Sequence, residues 1–216
     1  MKILAINGSY RANGFTDQLL YNLTRTLEEK GADIEQIDLR DYPIGFCLNC
    51  RECCQKPGSA AGKCIQTDGM AALVKKIEAA DAFILASPTN FGSVTALFKR
   101  FMERLLVFAY WPWGKVAPAY RKKGLKAKPA LLVTSSAAPA FMARWAFSSF
   151  GQLKDTSKIM GATVCGVLSS GLVAGTPYPT INARINQQIK KVAEDLVLLG
   201  DNYCRYIQKN GGQTAA

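Results

Sequence analysis

Met1-Lys-Ile-Leu-Ala-Ile-Asn-Gly-Ser-Tyr-Arg-Ala-Asn-Gly-Phe-Thr16 is an apolar run that stops abruptly in small, polar and glycine residues. Ile3, Leu4, Ala5 and Ile6 are continuously hydrophobic, which predicts a strand of a parallel sheet covered on both faces. Leu19, Leu20, Leu23 and Leu27 then recur at helical spacing. Asn7 to Thr16 therefore delivers hydroxyls, backbone amides and one arginine to the start of a helix. Such a place suits a phosphate. Free N–H groups and the positive end of the helix dipole face the anion, Ser9 and Thr16 offer hydroxyls, and Gly8 and Gly14 permit tight backbone geometry. Neither the Walker lysine pattern nor G-x-G-x-x-G occurs, which disfavours P-loop nucleotide hydrolysis and the common dinucleotide fingerprint. Taken alone, the loop reads equally as an ordinary strand-to-helix connection.

Outward from this stretch, Gly31 stops the first helix, and Asp33 to Leu39 alternates polar and apolar like a half-buried strand near a sheet edge. Asp68 is the expected N-cap of a second helix carrying Met70, Leu73, Val74 and Ile77. Ala82 to Ser87 is uniformly apolar, hence a central strand. It runs through Ser87-Pro-Thr-Asn-Phe-Gly-Ser93 into a helix with Val94, Leu97, Phe98, Phe101, Met102 and Leu105 on one face. Residues 107–127 are too aromatic and proline-broken for a helix and read as a long loop or lid. Pro129 to Ser135 is a fourth strand, Phe141 to Met160 a helical stretch with a break expected at Gly151, and Thr163 to Ser169 a fifth strand. After a loop from Gly171 to Pro179, a last helix is expected from Ile181 to about Gln208 on Ile185, Ile189, Val192, Leu196 and Leu199. This alternation predicts an α/β fold with a doubly wound parallel sheet, and five strands with crossovers on both sides fit the order 2-1-3-4-5. Ligand loops of such a sheet gather at the carboxyl ends of the strands. The loops 8–16, 87–93 and 134–139 would line one crevice, the first for a phosphate and the others for a flat ring.

The 216 residues are expected to form one domain, with an elaborated cysteine-rich loop at 46–64 and the lid at 107–127. No apolar run reaches the roughly 18 residues of a membrane helix, and the N-terminus lacks a signal-peptide pattern, so a cytoplasmic location is expected. There is no histidine. That excludes Ser-His-Asp and Cys-His catalysis, His-ligated zinc and any imidazole general base, so an enzyme built from this chain relies on a cofactor. The net charge is +11, and from Arg104 to Lys154 there are nine basic residues and no acid. Such a stretch attracts anions or forms a solvated edge. No helix-turn-helix, zinc-finger or RNP-type signature accompanies it, and nucleic acid is not an expected partner.

Asn7-Gly-Ser-Tyr-Arg-Ala-Asn-Gly-Phe-Thr16 resembles the G-S-x-R-x-x-G-x-[ST] phosphate loop of the NAD(P)H-dependent FMN reductases and the iron-sulfur flavoproteins, which have a flavodoxin-like fold. Ser87-Pro-Thr-Asn-Phe-Gly92 resembles their S-P-x-Y-x-G isoalloxazine loop, although Asn90-Phe91 departs from the usual aromatic-then-polar order. The resemblance implies an FMN held at its phosphate by Ser9, Arg11, Gly14, Phe15 and Thr16. Pro88, Thr89, Asn90, Phe91, Gly92, Ser135 and Ser136 would lie at its ring. It also implies NAD(P)H as co-substrate and ping-pong hydride transfer to a small-molecule electron acceptor: a quinone, azo or nitroaromatic compound, or free flavin. A homodimer or homotetramer is the expected assembly, with no membrane partner. From the basic stretch, NADPH is expected to be favoured over NADH through steering of its extra phosphate by the 115–128 lysine and arginine cluster.

Cys47-Leu-Asn-Cys50-Arg-Glu-Cys53-Cys54, followed by Cys64, is ambiguous. C-x2-C-x2-C can wrap a [4Fe-4S] cluster, and the segment resembles the compact motif of the iron-sulfur flavoproteins, whose fourth cysteine follows sooner than Cys64 does. A redox-active or adventitious thiol set and inert packed cysteines are the alternatives. Zinc is a weaker option because paired C-x2-C knuckles are absent. Cys165 and Cys204 read as core cysteines. Tyr110, Trp111 and Trp113 read either as a lid over a flavin or aromatic substrate, or as interface packing. An electron-carrying iron-sulfur flavoprotein and a flavin-free anion-binding or interaction module therefore stand beside the reductase reading.

Overall fold

Five parallel strands in the order β2-β1-β3-β6-β7 form the central sheet of the computed structural model, which describes residues 1–143 and 145–199. They are β1 (Lys2–Asn7), β2 (Asp33–Asp38), β3 (Ala82–Pro88), β6 (Lys128–Ser135) and β7 (Ala162–Ser170). The expected order 2-1-3-4-5 is the same arrangement. The shift in labels comes from a two-stranded antiparallel ribbon, β4 (Ala109–Tyr110) with β5 (Ala119–Tyr120), inside the stretch expected to be a loop.

Alternate residues of each strand enter two separate cores, as the two-residue side-chain period demands. Ile3, Ala5, Ile84 and Val133 pack against α1 (Phe15–Glu28) and α6 (Ala183–Glu194) through Leu19, Leu23 and Ile189. Leu4, Ile6, Leu85 and Leu132 pack on the other face. There they meet α2 (Met70–Ala79) and α3 (Ala96–Arg104) through Leu73, Phe98 and Phe101, and α5 (Ser149–Ile159) through Leu153. Each fully buried leucine on these stripes contributes about 2 kcal/mol of transfer free energy. Among the described residues β2 pairs with β1 alone, and it buries only Ile37, which matches its alternating sequence.

Two boundaries differ from expectation. Gly69, not Asp68, is the N-cap of α2, but the Asp68 carboxylate still accepts the Met70 amide at 3.0 Å, so it caps from one residue further out. The helical stretch 141–160 is divided before Ser149, into α4 (Ala140–Ala143) and α5; Gly151 sits inside α5 with open space where a side chain would point. The division arises because the Ser148 amide and hydroxyl both donate to the Gly92 carbonyl, at 2.8 and 2.9 Å, which anchors the chain to the loop after β3. Past α6 the helix widens over Asp195–Leu199. The rest of the expected last helix, and Cys204, lie outside the described residues.

Candidate functional site

The β1–α1 loop is held from beneath. The Gly8 amide donates to the Ala86 carbonyl at 2.7 Å, and the Gly8 carbonyl accepts the Thr95 hydroxyl. A Cβ at Gly8 would lie 2.8 Å from Phe98, so only glycine lets the loop settle onto α3. Asn7, fully buried, accepts the Ser9 amide at 3.0 Å and donates to Asp17 and Asp38, both at 2.7 Å. Arg40 completes this base, donating to Asp17 at 2.9 Å and to the Ser9 carbonyl at 3.2 Å. Asn13, at φ 58°, gives its amide to Asp17 at 2.9 Å, and the Gly14 amide closes onto Arg11 at 3.1 Å. The amides of Tyr10, Arg11, Ala12, Phe15 and Thr16 find no partner among the described residues. Unpartnered N–H groups at the start of a 14-residue helix fit an anion. The Phe15 side chain belongs to the core, leaving its amide as its contribution to the loop.

Ser135, at the end of β6, ties the three strand-end loops together. Its hydroxyl lies 2.9 Å from that of Thr16, and its carbonyl accepts the Thr89 amide at 2.8 Å. The loop after Pro88 is tightened by reciprocal bonds between Asn90 and Ser93, at 2.8 and 3.0 Å, with Phe91 and Gly92 in the left-handed region. Phe91 is fully exposed at its tip. Ser136 is turned to its own neighbours instead: its amide donates to Ser170 and its hydroxyl to Ala138. Two residues missed by the sequence reading brace this wall. The Ser149 hydroxyl is 2.8 Å from that of Thr89, and Gln152 accepts the Ser93 hydroxyl at 2.8 Å and the Val94 amide at 3.0 Å. Both sit on α5, and nothing local in the sequence ties them to β3.

Several long side chains of the basic stretch turn inward and fasten it to the body of the protein. The Arg104 side chain is 1% exposed; it donates to both Asp68 oxygens at 2.6 and 3.0 Å, to the Gly45 carbonyl at 2.9 Å and to Cys64 Sγ at 3.5 Å. Buried Arg121 donates to the carbonyls of Val107, Gly58 and Cys53. Lys122 pairs with Glu78 at 2.7 Å, and Lys128 caps the last carbonyls of α2. Trp111 and Trp113 enclose the Arg51 guanidinium at 3.8 and 4.4 Å, so these aromatics clasp the cysteine segment. Arg144 lies outside the described residues. Lys115, Lys123, Lys126 and Lys154 of the same stretch are exposed.

The cysteine segment is thus fastened to residues 105–121. Burial, then the neighbouring Cys54, Cys64 and Cys47, pushes the Cys53 thiol up to about 12. It is therefore a neutral thiol at physiological pH, a weak nucleophile that must release a proton to bind a metal. Cys54 is buried, 3.6 Å from Cys53 Sγ, and donates to the Leu106 carbonyl. Among the described residues no group of three or more Cys, Asp or Glu is placed to hold a metal ion. The thiols as arranged do not form such a group.

An iron-sulfur flavoprotein of Archaeoglobus fulgidus is 35% identical over 112 residues, 52% of this chain and 49% of that protein. One from Clostridioides difficile is 29% identical over 213 residues, 97% of this chain and 82% of that protein. Against the first of the curated relatives, the match spans about half of their length. The crystal structure of an FMN-dependent NADH-azoreductase from Bacillus anthracis in complex with FMN is similar at a TM-score of 0.65 and 12% identity, covering 91% of this chain and 99% of that one. At that identity the likeness speaks for the fold. Among the described residues no helix is long and apolar enough to cross a membrane. The family model for NADPH-dependent FMN reductases matches residues 1–166, from the first strand into the last and through all three loops that meet at Ser135, and the chain belongs to that family.

Proposed function

We propose that the chain binds one FMN non-covalently in the crevice around Ser135 and passes electrons from NAD(P)H to a small-molecule acceptor such as a quinone, an azo or nitroaromatic compound, or free flavin. The observation that carries this reading is the junction at Ser135, which joins the anion-suited loop to the loop expected at the ring. A dinucleotide would need a second phosphate site, and the adenine-binding fingerprint is missing. Ser9, Arg11, Gly14, Thr16 and the free amides beside them serve the phosphate. Pro88, Thr89, Asn90, Gly92 and Ser135 form the wall beside the ring, with the Phe91 and Gly92 amides, which take no partner among the described residues, as donors to its polar edge and the exposed Phe91 side chain next to it. When bound, FMN supplies the hydride acceptor. The chain's part is to fix the ring, keep one face open and offer no imidazole to compete for protons.

Acid-released flavin identified by chromatography should be FMN; FAD, or no flavin after reconstitution, would overturn the reading. Arg11→Ala should weaken FMN binding by about 1–3 kcal/mol, as for a charge-assisted phosphate contact, with the melting temperature unchanged. Donor and acceptor use the same open face in turn, so double-reciprocal plots should be parallel. Converging lines would count against a shared site.

A second reading is an iron-sulfur flavoprotein, which the names of the relatives and the C-x2-C-x2-C spacing favour. The visible spectrum of anaerobically purified protein separates the two. Flavin bands alone support the reductase, and a broad additional shoulder that is lost on Cys50→Ser supports the cluster.

A further inference from the structure

We propose that the segment from Gly171 to Thr180 is a strap across the phosphate end of the flavin site, and that Tyr178 on it is a positioning residue acting through Arg11. The proposal rests on the flavin reading above.

The strap is pinned at both ends. Where it leaves β7, the Leu172 amide donates to the Ala138 carbonyl and the Val173 amide to the Ser136 carbonyl, both at 3.2 Å. Gly171 passes so close to this loop that a Cβ would lie 2.2 Å from the Ala140 nitrogen. Leu172, at φ 57°, turns the chain there. At the far end, Arg11 Nη2 donates to the Pro177 carbonyl, and Gln18 Nε2 donates to the Pro179 carbonyl at 3.1 Å. The segment therefore runs from the loop after β6 to the loop after β1, the two loops joined by the Thr16–Ser135 contact.

Arg11 is the point where strap and anion loop meet. Its guanidinium lies 5.3 Å from the centre of the Tyr178 ring, and that ring is 83% exposed. Core burial does not explain where Tyr178 sits, and an exposed cation–π contact adds little to folding. Its effect is orientational. A guanidinium carries five N–H donors in one plane, so one can hold Pro177 while the ring fixes the plane and the remaining edge addresses a phosphate. Strap closure and phosphate binding then support each other through one side chain.

FMN and riboflavin, which share the ring and differ in the phosphate, separate this from a general packing role. Both are titrated into the full chain by quenching of flavin fluorescence, for wild type, Tyr178→Ala and Tyr178→Phe. Tyr178→Ala should weaken FMN about five- to tenfold and leave riboflavin and the melting temperature unchanged, whereas Tyr178→Phe, which keeps the ring face, should bind like wild type. Amide exchange across 171–180 should be slowed by FMN but not by riboflavin, and Tyr178→Ala should abolish that protection. Unchanged FMN affinity in Tyr178→Ala, or an equal loss for both flavins, overturns the strap and leaves the flavin site standing. Wild-type protein that binds neither flavin overturns both.

Discussion

Asp68→Asn is expected to destabilise the chain by about 3 kcal/mol, measured as a lower urea midpoint at unchanged slope. The reason is the charge it would strand. Arg104 is almost wholly buried, with Asp68 as its paired carboxylate, and the substitution leaves a guanidinium without a counter-charge in the core. The cost sits at the low end of that for breaking a buried pair because the Asp68 side chain is 20% exposed. Hydrogen bonding by Arg104 holds the Asp68 carboxyl well below the ordinary carboxylate range, assisted by the amides of Gly45 and Met70. A carboxyl depressed in the folded state stabilises fully above its unfolded value, here 3.8, and loses that contribution as pH falls toward the folded value. The gap between the wild-type and Asp68→Asn midpoints should therefore be full at neutral pH and begin to narrow as pH falls from about 4 to 2. A constant gap across that window would show that the ion pair is not the source of the difference.

Arg121→Met is expected to cost a similar amount, about 3 kcal/mol, with a local signature that Asp68→Asn lacks. The guanidinium holds three carbonyls, two of them, Cys53 and Gly58, in the cysteine segment. Hydrogen bonds to a charged donor are worth roughly 1.5–3 kcal/mol each, and methionine fills the volume without replacing any of them. Released carbonyls at Cys53 and Gly58 should loosen the segment, so Cys53 and Cys54 should react with a disulfide reagent at least several-fold faster than in wild type. Lys123→Met, on the same stretch and exposed, is the control, with an effect within about 0.5 kcal/mol. Equal, small effects of the two substitutions would restore the solvated-lid reading.

The central sheet was legible because each strand carries its environment in its own sequence. Ile3 to Ile6 and Ala82 to Ser87 are apolar on both faces and lie in the middle, whereas Asp33 to Asp38 alternates and lies at the edge. The strand-end loops were legible for a related reason, since a glycine-rich switch from strand to helix occupies one place in a doubly wound sheet. Helix breaks were less so. Gly151 has the lower helix propensity, yet the chain turns before Ser149 because Ser148 is bound to Gly92, 56 residues earlier.

Sequence alone determined the strands, their parallel direction and the position of Ser9, Thr16, Thr89 and Ser135 in the loops at their carboxyl ends, since these follow from periodicity and chain direction, which are local properties. Only the tertiary structure decided what the long side chains do. Arg104 and Arg121 turn inward to fasten the cysteine segment, Arg51 is enclosed by Trp111 and Trp113, and Arg11 reaches Pro177 across 166 residues. A charge count treats each arginine as a solvated cation. Its actual partner is set by which loops the packed helices and strands bring within reach of a flexible side chain, and no window of sequence contains that distance.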